Sequence, residues 1–68
     1  MPIPKYAQKA DRSKLVQFLC KTGCRKMRYG EVSKYPFNTG ELGIDLDIYV
    51  TCLKCNGIQH DKSNWYKI

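Results

Sequence analysis

The four cysteines occur as two close pairs, and their spacing constrains the fold more than any other feature of the chain. The first pair lies in "CKTGC" and the second in "CLKC", and a spacer of 27 residues separates the two pairs. A chain of 68 residues builds only a marginal hydrophobic core, so disulfides or a structural metal often complete the stability of such a domain. The thiols are therefore the first candidates for holding this chain together.

The second pair favours metal binding over disulfide formation. A bridge between Cys52 and Cys55 would close a tight, strained loop with little stabilising value. Gly23 lies inside the first pair and Gly57 follows the second, and glycine allows backbone amides to approach thiolate sulfurs closely. Two ligands close in sequence, followed after a long spacer by two more, suit a tetrahedral ion. The predicted ligands are Cys20, Cys24, Cys52 and Cys55.

The predicted cofactor is one structural Zn²⁺, because zinc is the usual ion of tetrahedral thiolate sites, and iron is the alternative. Disulfides and free thiols remain further alternatives. His60 follows Cys55 by five residues and is a possible replacement ligand, although four cysteines already complete a structural site.

No part of the sequence indicates secretion or membrane insertion. The N-terminal stretch lacks the apolar region of a signal peptide, and no run of about 18 apolar residues occurs. We therefore expect a cytoplasmic protein in a reducing compartment, where thiolate ligands are favoured over disulfides. We also expect no membrane partner and a monomeric chain.

The sequence predicts a basic N-terminal arm over residues 1–13, mobile or loosely docked, and a small β domain over residues 14–68. Strand character is clear over residues 15–20 and extends over residues 25–37, where Gly30 suggests a bulge. The last segment has a weaker strand signal with a turn at "DKSN", and Trp65 is assigned to the core.

Residues 44–52 show the cleanest alternation of apolar and polar side chains in the chain. A period of two is typical of a strand with one buried and one exposed face. The side chains expected to point into the core are Ile44, Leu46, Ile48 and Val50, together with Val16 and Phe18 of the first strand and Trp65.

The motif "CKTGC", the spacer of 27 residues and the motif "CLKCNG" resemble the zinc-ribbon and rubredoxin-like group of small β domains. The resemblance covers roughly residues 15–68. It implies two knuckles that clamp one metal and a three-stranded antiparallel sheet. Such ribbons occur in RNA polymerase subunits, transcription factors and ribosomal proteins, so the fold alone leaves the function open.

Positive charge is concentrated in the first half of the chain. Residues 1–34 carry nine Lys or Arg against two acidic residues, and the formal net charge is +6. Four thiolates on one divalent ion would lower this to about +4. Basic residues interleaved with tyrosines predict a nucleic-acid surface, and an ordinary solvated strand face is the alternative. The predicted contact residues are Lys21, Arg25, Lys26, Arg28, Tyr29, Lys34 and Tyr35.

These patterns predict a non-catalytic zinc-ribbon module that contacts nucleic acid or a nucleic-acid machine of transcription or translation. No enzymatic activity is expected, because Asp45 and Asp47 have no nucleophile or second metal cluster beside them in the sequence pattern. One alternative is a protein-interaction adaptor or transcription regulator that binds an acidic surface, such as a polymerase or ribosomal assembly. A rubredoxin-type iron electron carrier is a further alternative, although such carriers are typically acidic and have CxxC at both knuckles.

Overall fold

A computed structural model of the chain describes residues 3–34, 44 and 46–67. The described residues form a five-stranded antiparallel sheet with the strand order β4-β3-β2-β1-β5. The strands are β1 (Leu15–Leu19), β2 (Met27–Val32), β3 (Val50–Cys52), β4 (Ile58–Gln59) and β5 (Trp65–Lys67). Short 3-10 helices span Lys5–Ala7, Arg12–Lys14 and Lys62–Asn64. None of the helices in these residues has the length and apolarity needed to cross a membrane.

The prediction of a small all-β domain is confirmed, but the expected count of three strands is wrong. The central strands β1, β2 and β3 are joined by two short edge strands that both come from the C-terminal segment. A turn divides this segment, because the Asp61 carboxylate accepts a hydrogen bond from the Ser63 amide at 3.0 Å and begins a 3-10 helix. The chain then crosses from the β3 edge of the sheet to the β1 edge.

The hydrophobic core lies on one face of this sheet. Alternate residues of β1 supply Val16 and Phe18, both fully buried, and β5 supplies Trp65, which is 2 % exposed. Their positions confirm the predicted inward face of the first strand and the core role of the tryptophan. Among the described residues, the core cluster is Val16, Phe18, Cys20, Val32, Ile48, Val50, Cys52 and Trp65.

The prediction that Ile44 and Leu46 point into the core is wrong. Ile44 is 72 % exposed and Leu46 is 75 % exposed, whereas Ile48 and Val50 are buried as predicted. A turn at residues 46 and 47 interrupts the alternation, and the paired strand begins only at Val50. Ile44 forms an isolated antiparallel bridge with Asp61 outside the five strands. The period of two therefore extends beyond the strand itself, and its last part, at Ile48 and Val50, lies in the core.

The prediction of a bulge at Gly30 is also wrong. Pairing continues without interruption on both sides of Gly30, opposite Val16 in β1 and opposite Cys52 in β3. A Cβ atom at this position would lie 2.6 Å from Val50 Cγ2 and 2.7 Å from Phe18 Cε1. Glycine is required here because these two core side chains close over the backbone.

The N-terminal segment packs against part of the sheet face opposite the core. Ala7 is 1 % exposed, and the Tyr29 amide donates a hydrogen bond to the Tyr6 hydroxyl at 3.0 Å. The Asp11 amide donates to the Glu31 carboxylate at 3.1 Å, at the end of the face where Leu15 is fully buried. The division of the chain into an arm over residues 1–13 and a domain over residues 14–68 stays a prediction.

Candidate metal centre

The four cysteines lie in two turns at the same end of the sheet. Cys20 directly follows β1 and Cys24 precedes β2, while Cys52 ends β3 and Cys55 precedes β4. Because β2 and β3 are antiparallel neighbours, the start of β2 lies beside the end of β3. The sheet therefore brings together two cysteine pairs that are far apart in the sequence.

The four sulfur atoms form a compact group in which all Sγ atoms lie within 4.8 Å of one another. The Sγ atoms of Cys20 and Cys55 are 3.6 Å apart, and those of Cys24 and Cys52 are 3.9 Å apart. A tetrahedral ion with metal–sulfur bonds of about 2.3 Å separates its sulfurs by about 3.8 Å. All four thiols are free. Their arrangement therefore fits a metal ion, as the sequence predicts.

The two turns also have matching backbone conformations. Arg25 and Asn56, the residues that follow the second cysteine of each pair, have positive φ angles of 57° and 63°. Positive φ is tolerated by asparagine but is unfavourable for a long side chain such as arginine. Both turns therefore have a positive φ angle after the second cysteine, although the first pair has the longer CxxxC spacing.

Thr22 joins the two knuckles through its hydroxyl group. Thr22 Oγ1 lies 3.3 Å from Cys20 Sγ and 3.6 Å from Cys55 Sγ, so it can donate a hydrogen bond to a thiolate of either pair. A Cβ atom at Gly57 would overlap Thr22 Oγ1. Gly57 thus provides the space in which the threonine contacts the sulfur group.

The thiols differ in their pKa because their burial and hydrogen bonds differ. Burial acts to raise the pKa of Cys20, but hydrogen bonds from Thr22 and from backbone amides outweigh it and lower the pKa to about 5. The Thr22 hydroxyl and the Gly57 amide lower the pKa of the exposed Cys55 to about 7. Burial raises the pKa of Cys52 to about 12, so the charge of a bound cation would be needed to favour its thiolate.

Arg28 lies beside this sulfur group. A hydrogen bond to Cys24 raises the pKa of Arg28, and a smaller contribution comes from Tyr6. Arg28 is half-buried, and its positive charge can offset part of the negative charge of four metal-bound thiolates. The charge pattern of the sequence places Arg28 among the predicted nucleic-acid contacts. It does not indicate that Arg28 lies beside the cysteine sulfurs.

The remaining residues predicted to contact nucleic acid lie in different environments. Lys21 Nζ is 3.6 Å from the Asp61 carboxylate, and the Tyr29 ring makes an edge contact with Tyr6. Tyr35 lies outside the described residues. The exposed members of the set are Lys21, Arg25, Lys26 and Lys34.

The alternative ligand His60 is not part of the sulfur group. Its ring makes an edge contact with the Tyr49 ring, with centroids 5.9 Å apart. The described cluster consists of cysteines alone.

Gln59 supports the first knuckle, and sequence analysis missed it. Its side chain is 7 % exposed; Oε1 accepts a hydrogen bond from the Lys21 amide, and Nε2 donates to the Leu19 carbonyl at 3.0 Å. These two backbone groups flank Cys20. The partners lie 38 and 40 residues away in the chain, so no local pattern indicates the contact.

Replacing Gln59 with Ala is expected to weaken the domain by about 1–3 kcal/mol, because two backbone groups beside Cys20 lose their partner. Urea unfolding of the metal-loaded protein measures this change. Gln8→Ala is the matched control, because Gln8 is exposed and, within the described part of the chain, its side chain donates to the nearby Ile3 carbonyl, far from the cysteines in sequence. An equal effect of the two substitutions would contradict a supporting role for Gln59.

No family model, curated protein or solved structure matches this chain.

Proposed function

We propose that this chain is a zinc-ribbon module in which one structural Zn²⁺ holds the two knuckles together and presents a basic surface to nucleic acid. Four thiolates complete a tetrahedral zinc site, whereas catalytic zinc keeps one position open for water or substrate. The sulfur separations of 3.6 Å and 3.9 Å support such a closed site. The ion then has a structural role, and the function depends on the surface that it stabilises.

Arg25 carries the nucleic-acid part of the proposal. It is exposed, and it holds a backbone conformation with a φ of 57°, where glycine or asparagine would be less strained. An arginine at a position where its backbone conformation is unfavourable suggests that its side chain is needed to bind a partner. Lys26 is the next residue and is also exposed, so the first knuckle presents two adjacent cations to an anionic partner.

The charge balance supports the same partner. The formal net charge of +6 becomes about +4 after four thiolates bind a divalent ion. A positively charged domain of this size attracts the phosphate backbone without regard to base sequence, and binding releases counterions from the nucleic acid. We therefore propose weak sequence preference and an affinity that falls steeply with salt.

Replacing Arg25 with Gly is expected to weaken nucleic-acid binding without weakening the fold. Glycine suits the positive φ of this position, so the substitution removes the charge and relieves the backbone. With Lys26→Ala in the same chain, the slope of log affinity against log salt should decrease by roughly one unit per lost phosphate contact. Fluorescence anisotropy of labelled RNA and DNA oligonucleotides with zinc-loaded protein measures the slope.

Asn56→Gly is the matched control for this experiment. It makes the same backbone change at the equivalent position of the second knuckle but leaves the charge unaltered, so the salt slope should stay unchanged. No detectable binding to RNA or DNA at low salt by the unmodified protein would contradict the nucleic-acid proposal.

A further inference from the structure

The sheet face opposite the core is covered at one end and open at the other. The N-terminal segment covers the end that contains Leu15 and Glu31. Residues further along the same face remain accessible, and we call this region the open patch. The open patch consists of Gln17, Leu19, Met27 and Tyr66.

The side chains of the open patch are neighbours on the sheet. Gln17 pairs with Tyr66 across β1 and β5, and Leu19 pairs with Met27 across β1 and β2. Directly paired residues of antiparallel strands lie on the same face, and so do residues two positions apart in one strand. Leu19 is 36 % exposed, Met27 is 42 % exposed and Tyr66 is 60 % exposed. A tyrosine ring and two apolar side chains thus form one continuous accessible surface.

Positive charge borders this surface at the first knuckle. Leu19 also lines a shallow cavity of about 340 Å³ together with Cys20, Lys21 and Arg25. The open patch itself contains no acidic residue, and Lys21 has a nearby carboxylate in Asp61, at 3.6 Å. Arg25 is therefore the cation best placed to meet an anionic group of a ligand that lies on the patch.

We propose that the open patch binds single-stranded nucleic acid, with an unpaired base stacked on Tyr66 and a neighbouring phosphate at Arg25. This inference rests on the proposed function and specifies its substrate class. A base offers its π-face to an aromatic ring only where it is not stacked in a duplex, and a flat sheet accepts such splayed bases. The amide of Gln17, beside Tyr66, offers both a donor and an acceptor to a base edge.

The size and charge of the patch favour a nucleic acid over a protein partner. A stable protein interface uses about 20–30 residues on each side, whereas the open patch has four. One exposed ring is sufficient to stack one base, and a phosphate supplies the negative charge that the adjacent Arg25 complements.

Replacing Tyr66 with Ala is expected to reduce affinity for single strands by about 5- to 150-fold, the range measured for the loss of one base–aromatic stack. Tyr66→Phe keeps the ring and should retain most of the affinity. Ile58→Ala is the matched control, since Ile58 is 51 % exposed on the other edge strand and lies outside the open patch. The Ile58→Ala variant should bind single strands with the same affinity as the unmodified protein.

The probes are labelled RNA and DNA single strands of about 12 nucleotides and a duplex of the same sequence, each titrated with zinc-loaded protein. Zinc content and melting temperature are recorded for every variant, so that misfolding is separated from loss of contact. Tighter binding to either single strand than to the duplex, lost in Tyr66→Ala and kept in Tyr66→Phe, supports the proposal. A difference between the RNA and DNA strands would show whether the 2′-hydroxyl contributes.

Two results would overturn the inference while leaving the proposed function intact. One is equal affinity for single strands and duplex, and the other is single-strand affinity that Tyr66→Ala does not change. Failure to bind any of the three probes would overturn both proposals.

Discussion

Removing the metal from zinc-loaded protein is expected to unfold the domain. The β1–β2 and β3–β4 hairpins are joined at one end by the four sulfur atoms, and the sheet itself includes strands of only two and three residues. Metal binding contributes an apparent free energy of about 10–16 kcal/mol in comparable structural zinc sites, and a domain of this size has little stability to replace it. We therefore expect the protein to be folded only while the metal is bound.

Circular dichroism and near-ultraviolet absorbance during titration with a strong zinc chelator measure this unfolding. The signal of the buried Trp65 should change together with zinc release, and restored zinc under reducing conditions should recover it. Acid should have the same effect, because protons compete with the ion for the thiolates. A sheet that persists after all the zinc has been removed would contradict a structural role for the ion.

Replacing Val50 with Asp is expected to unfold the domain even when zinc is present. Val50 is fully buried in the core cluster, and an unpaired buried charge costs several kcal/mol, which is comparable to the whole stability of a small domain. Thermal melting of the zinc-loaded variant measures the loss.

Leu46→Asp is the matched control for the Val50 substitution. Leu46 has the same phase as Val50 in the sequence alternation, yet it is 75 % exposed. The melting temperature of Leu46→Asp should therefore stay close to that of the unmodified protein. Equal destabilisation by the two substitutions would indicate the continuous strand that the alternation predicts. It would contradict the observed turn at residues 46 and 47.

The cysteine cluster and the first strand could be predicted because their signals are local. Each cysteine pair needs only one short turn, and the spacing within each pair indicates that turn. The alternation in β1 places Val16 and Phe18 on one face, and both are buried in the core. Such patterns depend on the few residues within one element.

The pairing of the edge strands and the contacts of Gln59 could not be predicted because they depend on contacts between distant parts of the chain. β4 has only two residues, and its pairing partner β3 determines that it is a strand at all. Gln59 binds backbone groups 38 and 40 residues away. The period of two at Ile44 and Leu46 is misleading for a related reason, since alternation predicts the two faces of a strand but not how far the strand extends or which of its residues reach the core.

X-ray absorption at the zinc edge, combined with elemental analysis of protein purified under reducing conditions, tests the central proposal most directly. We predict one zinc per chain, bound by four sulfur ligands at about 2.3 Å, the arrangement that the separations within the sulfur group fit. A mixed nitrogen and sulfur shell would instead indicate a ligand such as His60. Negligible zinc with oxidised thiols, or iron as the metal of native protein, would contradict the structural zinc site.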